Sequence, residues 1–176
     1  RGLIRRKEMM TWIAVPLGIS VISFFSIQSS FETATSTIER LTIFAGPLIG
    51  IFMFTFYLSL TGIGQEGSGF LNLLINPLKE KEIVKAKLAT ALVPSVLAMI
   101  AVTVLIQLII QLQPLTLVAI TVAFFAALFE CAFIGLAISS RFPDFTEVPR
   151  ARFIDQKGVW LGMLIMAGAI AITFVP

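Results

Sequence analysis

The chain has 176 residues, of which 57% are hydrophobic and 13% charged, with a formal charge of +3. Soluble domains carry about 25% charged residues, so a water-soluble globule of this size is excluded by the apolar surface it would leave bare. With no His and one Cys, Cys131, the chain offers no His-ligated metal or haem site, no His relay and no internal disulfide. It opens on Arg1 and ends on an apolar run, and is expected to be a piece of a longer protein.

Five runs approach the 20 or so apolar residues that cross about 30 Å of hydrocarbon. They fall at about 9–28, 41–63, 86–111, 115–140 and 158–176. Runs of this length satisfy their backbone groups only as helices, so the predicted fold class is all-α, a polytopic α-helical integral membrane protein. The first run is charged too early and is too long for a cleaved signal peptide, and reads as a retained span. A Ser/Thr-rich loop, 29–40, follows it and carries Arg40. Pro16, Pro47 and Pro94 fall inside the first three spans, where bends that improve packing are favoured over functional hinges. Gly46 with Gly50, and Gly158 with Gly162, place small residues on one helix face and are expected to form internal packing seams.

After the second span, Gly62, Gly64 and Gly67 form a GxGxxG, but a membrane helix precedes it where a dinucleotide site needs a strand. No GxxxxGK[ST] occurs, so the chain has no phosphate loop of its own. Phe70-Leu71-Asn72-Leu73-Leu74-Ile75 is too short to span and too apolar for water, which predicts a short interfacial helix. Asn76 then caps a new helix with Pro77 at its first position. Lys79, Glu80, Lys81, Glu82, Lys85 and Lys87 keep its first turns in water before it becomes the third span. The predicted result is a rigid elbow over 64–85.

An uncharged link, Gln111 to Pro114, leads to the fourth span, which contains Glu130 about ten residues from either boundary. An ionised carboxylate there costs about 2.5–3.5 kcal/mol. The expected states are protonation, a hydrogen bond to a neighbouring helix, with Gln107 as candidate partner, or a polar cavity. The structural role is favoured slightly over proton coupling. Cys131 reads as a small buried apolar residue. The loop 141–157 holds Phe142, Pro143, Asp144, Phe145 and Phe153, more aromatic than a disordered linker, and is expected to pack against the helix ends.

Twelve of the 13 basic residues fall before span one, between spans two and three, or between spans four and five; only Arg40 falls on the other side. By the positive-inside rule the N-terminus and both long loops are cytoplasmic, in the cell (inner) membrane. Trp12, Tyr57 and Trp160 fall toward the same ends, as interfacial aromatics do.

Gly64-Gln65-Glu66-Gly67 through Leu73-Leu74-Ile75-Asn76-Pro77-Leu78, then Glu82-Ile83 and Lys87-Leu88, resembles the pattern of ABC-2 type exporter permeases. Gly135-Leu136-Ala137 with Phe142-Pro143-Asp144-Phe145 resembles the same family's segment after a later span. The resemblance covers about 62–145. It implies that Glu66–Ile75 is a coupling helix that docks on a separate ATP-binding cassette ATPase. The coupling residues would be Glu66, Gly67, Phe70, Leu71, Leu74, Asn76, Pro77, Lys79 and Lys81. ATP and Mg would be bound by that partner, with no cofactor on this chain. A second permease copy or half would complete the pathway. The family usually has six or more spans per half, against five here.

The leading expectation is therefore a permease driven by a partner ATPase and not itself an enzyme. The alternative is an ion-coupled transporter or channel using Glu130. An intramembrane enzyme is disfavoured, because the spans offer no clustered acids and no nucleophile with a base. Nucleic-acid binding is disfavoured because basic residues track the membrane sides.

Overall fold

The computed structural model describes residues 14–16, 18–23, 25, 36–64, 80–143 and 154–174. Among these residues the backbone is almost wholly helical and no strand forms. In chain order the helices are α1 (Ala14–Ser23), α2 (Thr37–Ile43), α3 (Ala45–Thr61), α4 (Glu80–Ile110), α5 (Pro114–Arg141) and α6 (Gln156–Phe174). α4, α5 and α6 are long and apolar enough to cross a membrane. They occupy the last three runs expected from the sequence.

The second run departs from expectation, because it is two helices. Pro47 explains the break: a proline has no N–H for the carbonyl four residues back and its ring crowds that group, which here belongs to Ile43, the last residue of α2. The chain turns at Phe44 and restarts, so Pro47 sits in the first turn of α3, where its missing N–H costs nothing. α3 keeps 17 residues, about 25 Å at 1.5 Å per residue. α2 starts with a reciprocal cap: Glu39 N–H donates to the Ser36 hydroxyl oxygen and Ser36 N–H to the Glu39 carboxylate, both at 3.1 Å. Part of the expected Ser/Thr-rich loop is thus helical.

Between α4 and α5 the chain reverses over 111–113. Gln111 takes φ 54° and its N–H bonds the Gln107 carbonyl at 3.0 Å, a left-handed helix stop. Pro114 then opens α5. Asp155 caps α6, its carboxylate accepting from Lys157 N–H at 3.4 Å.

Small residues set how these helices pack. Side by side and parallel, α3 and α5 meet at Gly135, where a Cβ would lie 2.7 Å from the Phe56 carbonyl oxygen and 2.8 Å from Ser59 Cβ. Farther along, Ile63 N–H donates to the Ser139 hydroxyl at 3.1 Å. α6 returns antiparallel to α5, with Gly158 against Phe142 and Gly162 against Phe56 and Ile138. Gly46 and Gly50 face Ser23 and Ser20 of α1, and the Ser20 hydroxyl donates to the Pro47 carbonyl at 3.3 Å. Both glycine pairs therefore lie at contacts within the chain. Lipid supplies no hydrophobic drive between helices, so such close approach and its dispersion contacts hold the bundle.

Phe44, Leu48, Phe52, Phe56 and Leu60 recur every four residues along α3 and are buried. Exposed apolar stripes run along the outside: Val93, Leu97, Ile100, Val104 and Leu108 on α4, and Leu115, Val118, Val122, Phe129 and Phe133 on α5. Tyr57 lies in the last turns of α3. It is buried, its ring edge-on to Phe56 with centroids 5.8 Å apart. Trp160, near the start of α6, is exposed.

Candidate functional site

The end of the bundle that gathers the basic residues is built from the close of α3, the start of α4, the close of α5 and the start of α6. α4 has 31 residues, about 46 Å, against about 30 Å of hydrocarbon. Its first two turns are the charged ones, with Lys81, Glu82 and Lys85 exposed. The Lys87 stem runs beside Gly62, which closes α3. Gly64 is buried next to the point where Ile63 bonds Ser139. A helix precedes these glycines, so the GxGxxG has none of the strand context of a nucleotide site.

On the far side of the same end, Phe142 packs against the core and its carbonyl accepts from Asp155 N–H at 3.3 Å. Pro143 and Ile154 form a bridge that ties the ends of the second loop together. Of the residues assigned to coupling, Lys81 is thus exposed at this end. Glu66, Gly67, Phe70, Leu71, Leu74, Asn76, Pro77 and Lys79 lie outside the described residues, as do Asp144 and Phe145 of the loop. Phe142 and Pro143 are in place at the close of α5.

Glu130 lies about 17 Å along α5 from Arg141. Its expected partner was Gln107, and the structure corrects this: the Thr173 hydroxyl, near the end of α6, lies 3.1 and 2.9 Å from the two carboxylate oxygens. The Gln107 amide instead reaches the Leu112 carbonyl at 3.4 Å, bracing the α4–α5 turn, while its Oε1 is buried without a partner among the described residues. The reason is register: Gln107 sits near the close of α4, whereas antiparallel α5 and α6 bring residue 130 level with the end of α6.

Most other hydroxyls in the helices are turned inward on their own backbone. Thr55, Ser95, Thr103 and Thr121 each donate to the carbonyl four residues earlier, at 2.7–2.9 Å, the usual way such groups are satisfied in lipid. Thr173 is placed to make that bond, at 3.1 Å to Ala169, and also to meet Glu130. Among the described residues no cluster of three His, Cys, Asp or Glu side chains forms. Cys131 is buried.

Thr173 was not singled out by sequence reasoning, because a lone Thr near the end of an apolar run carries no pairing signal. The Ser36–Glu39 cap was equally missed, although S-x-x-E ahead of an apolar run is its signature. Compared with family models, with curated proteins and with solved structures, the chain shows no match.

Proposed function

We propose that the chain is the membrane-embedded permease subunit of an ATP-driven ABC-type transporter. In this reading it crosses the cell membrane five times, α2 and α3 together forming the second passage, with its N-terminus and lysine-bearing end in the cytoplasm. The observation that carries the reading is the length of α4, a single helix about 15 Å longer than the hydrocarbon layer. Its excess is the charged start that follows the Glu66–Ile75 segment. Such a helix would carry a push at its wet end into the membrane, with Pro94, where an interior proline removes a backbone bond, as the place where it bends. The Lys87 stem beside Gly62 would pass that displacement to the close of α3, and the Ile63–Ser139 bond and the Pro143–Ile154 bridge would pass it on to α5 and α6.

ATP and Mg would be held by a separate cassette ATPase, and no residue of this chain would do covalent chemistry. A second copy or half would complete the pathway. Glu66 would sit at the start of the coupling helix, where negative charge is favoured, and Lys79 and Lys81 would meet acidic groups of the ATPase or lipid phosphates.

The test is co-purification of the full-length protein with P-loop ATPases of its host, for wild type, Glu66→Arg and Lys81→Glu. The expected result is a stable complex that Glu66→Arg abolishes and Lys81→Glu weakens. Equal recovery of the ATPase with all three proteins would overturn the coupling assignment. Ion flux without any ATPase, abolished in Glu130→Gln, would replace the reading by a secondary transporter or channel.

A further inference from the structure

At the lysine-bearing end, Arg141 closes α5 and Lys157 stands in the first turn of α6, both exposed. Gly158 brings the two helix ends together. A Cβ on it would lie 2.8 Å from Phe142 Cβ, so residues 141 and 157, each next in the chain to that contact, have Cα atoms at most about 13 Å apart. Two long side chains can close such a gap onto one small anion, and the fields of the two cations add in the space between them. Among the described residues neither cation has an ion-pair partner. Asp155 is the acid at this junction, and its carboxylate accepts from the Lys157 backbone N–H as the cap of α6. The start of α4 differs, because Glu80 and Glu82 alternate with Lys81 there.

Depth decides which anion. Trp160 is exposed about 5 Å farther along α6 than Lys157, and Leu161, Leu164 and Ile165 continue the exposed face beyond it. An indole, apolar in body with one N–H, settles where hydrocarbon gives way to headgroups. That places the Lys157 ammonium one turn nearer water, at the level of lipid phosphates. From water inward the order is cation, indole, aliphatic side chain, which matches phosphate, glycerol and acyl chain in a phospholipid. A guanidinium such as that of Arg141 can fork two N–H donors onto a phosphate, and the lysine adds a point charge. A zwitterionic headgroup would bring its own cation against these two, so the pair selects an anionic one. We propose that Arg141 and Lys157 hold the phosphate of an anionic phospholipid, with Trp160 beside its glycerol and a chain along Leu161 and Leu164. The inference rests on α5 and α6 crossing the membrane and is independent of any ATPase.

The test uses the full chain with Trp12→Phe, which leaves Trp160 as its one tryptophan, in bilayers of phosphatidylcholine mixed with phosphatidylglycerol. Brominated chains are placed on one lipid or the other, so that quenching of Trp160 reads which lipid lies beside it. The expected result is a preference for phosphatidylglycerol of roughly 5–30-fold at low salt, the effect of one to two interfacial cations, shrinking at high salt as the pair is screened. Arg141→Gln or Lys157→Gln alone lowers the preference, the two together abolish it, and Lys81→Gln on α4 leaves it unchanged. Equal quenching by the two lipids before any of these substitutions, or a preference that survives the double substitution, overturns the proposal. Loss of the preference on adding inorganic phosphate at constant ionic strength also overturns it, by assigning the pair to a soluble anion. Absence of quenching by either lipid would remove the membrane crossing on which the inference rests, and the inference with it.

Discussion

The Thr173 hydroxyl lies 2.9 and 3.1 Å from the two carboxylate oxygens of Glu130, within donating reach of either, and so joins the end of α6 to the middle of α5. Hydrogen bonds between helices in lipid average about 0.6 kcal/mol and reach about 1.7 kcal/mol. Thr173→Val is therefore expected to cost about 1 kcal/mol, and Glu130→Gln, which keeps an acceptor for the hydroxyl, less. A double-mutant cycle of Thr173→Val with Glu130→Ala, which removes the carboxyl group altogether, should return a coupling of about 0.6 kcal/mol on unfolding in mixed detergent. Strictly additive losses would mean that the two groups do not act on each other.

Close approach of α3 and α5 depends on Gly135. An added methyl would meet the Phe56 carbonyl oxygen and Ser59 Cβ, neither of which can swing away as a flexible side-chain tip does. Gly135→Ala is expected to destabilise by about 1–3 kcal/mol. Gly168→Ala on α6 meets open space and should stabilise by about 0.5–1 kcal/mol through helix propensity alone. Thermal unfolding of the two variants in one detergent reads the opposite signs.

Gln111 occupies a backbone conformation that costs an L residue roughly 1–2 kcal/mol. Gln111→Gly should therefore raise stability by up to about 1 kcal/mol, and Gln111→Val should lower it by a similar amount, because a β-branched side chain fits φ 54° worst. Equal midpoints for the three proteins would show that the α4–α5 turn is not held in this geometry.

Much of α4, α5 and α6 was legible because apolar runs of spanning length admit only one backbone solution in lipid, and because Gln111-Leu112-Gln113-Pro114 interrupts them with a helix stop and a helix start. Pro47 was harder. A proline inside a continuous apolar run reads as a bend, and only the structure reveals that the helix restarts two residues before it. The partner of Glu130 was illegible for a different reason. Periodicity reports which face of a helix is apolar, but the register between two helices is set by where Gly158 and Gly162 let α6 approach, and that alone decides that Thr173, not Gln107, lies beside the carboxylate.

Sidedness is open to chemical labelling. Cys131 is buried and should stay silent toward a membrane-impermeant maleimide. Lys81→Cys and Lys85→Cys, both at exposed positions, should label from one face of the membrane, and Gln113→Cys from the other. Labelling of all three from the same face would rule out a membrane crossing by α4.

ATP hydrolysis in lipid vesicles, measured for the co-purified ATPase with wild-type chain and with Glu66→Arg, tests the central claim most directly. The account predicts hydrolysis that depends on the permease and is lost in Glu66→Arg while the variant still inserts. Hydrolysis at the same rate with wild type, with the variant and with no permease present would contradict it.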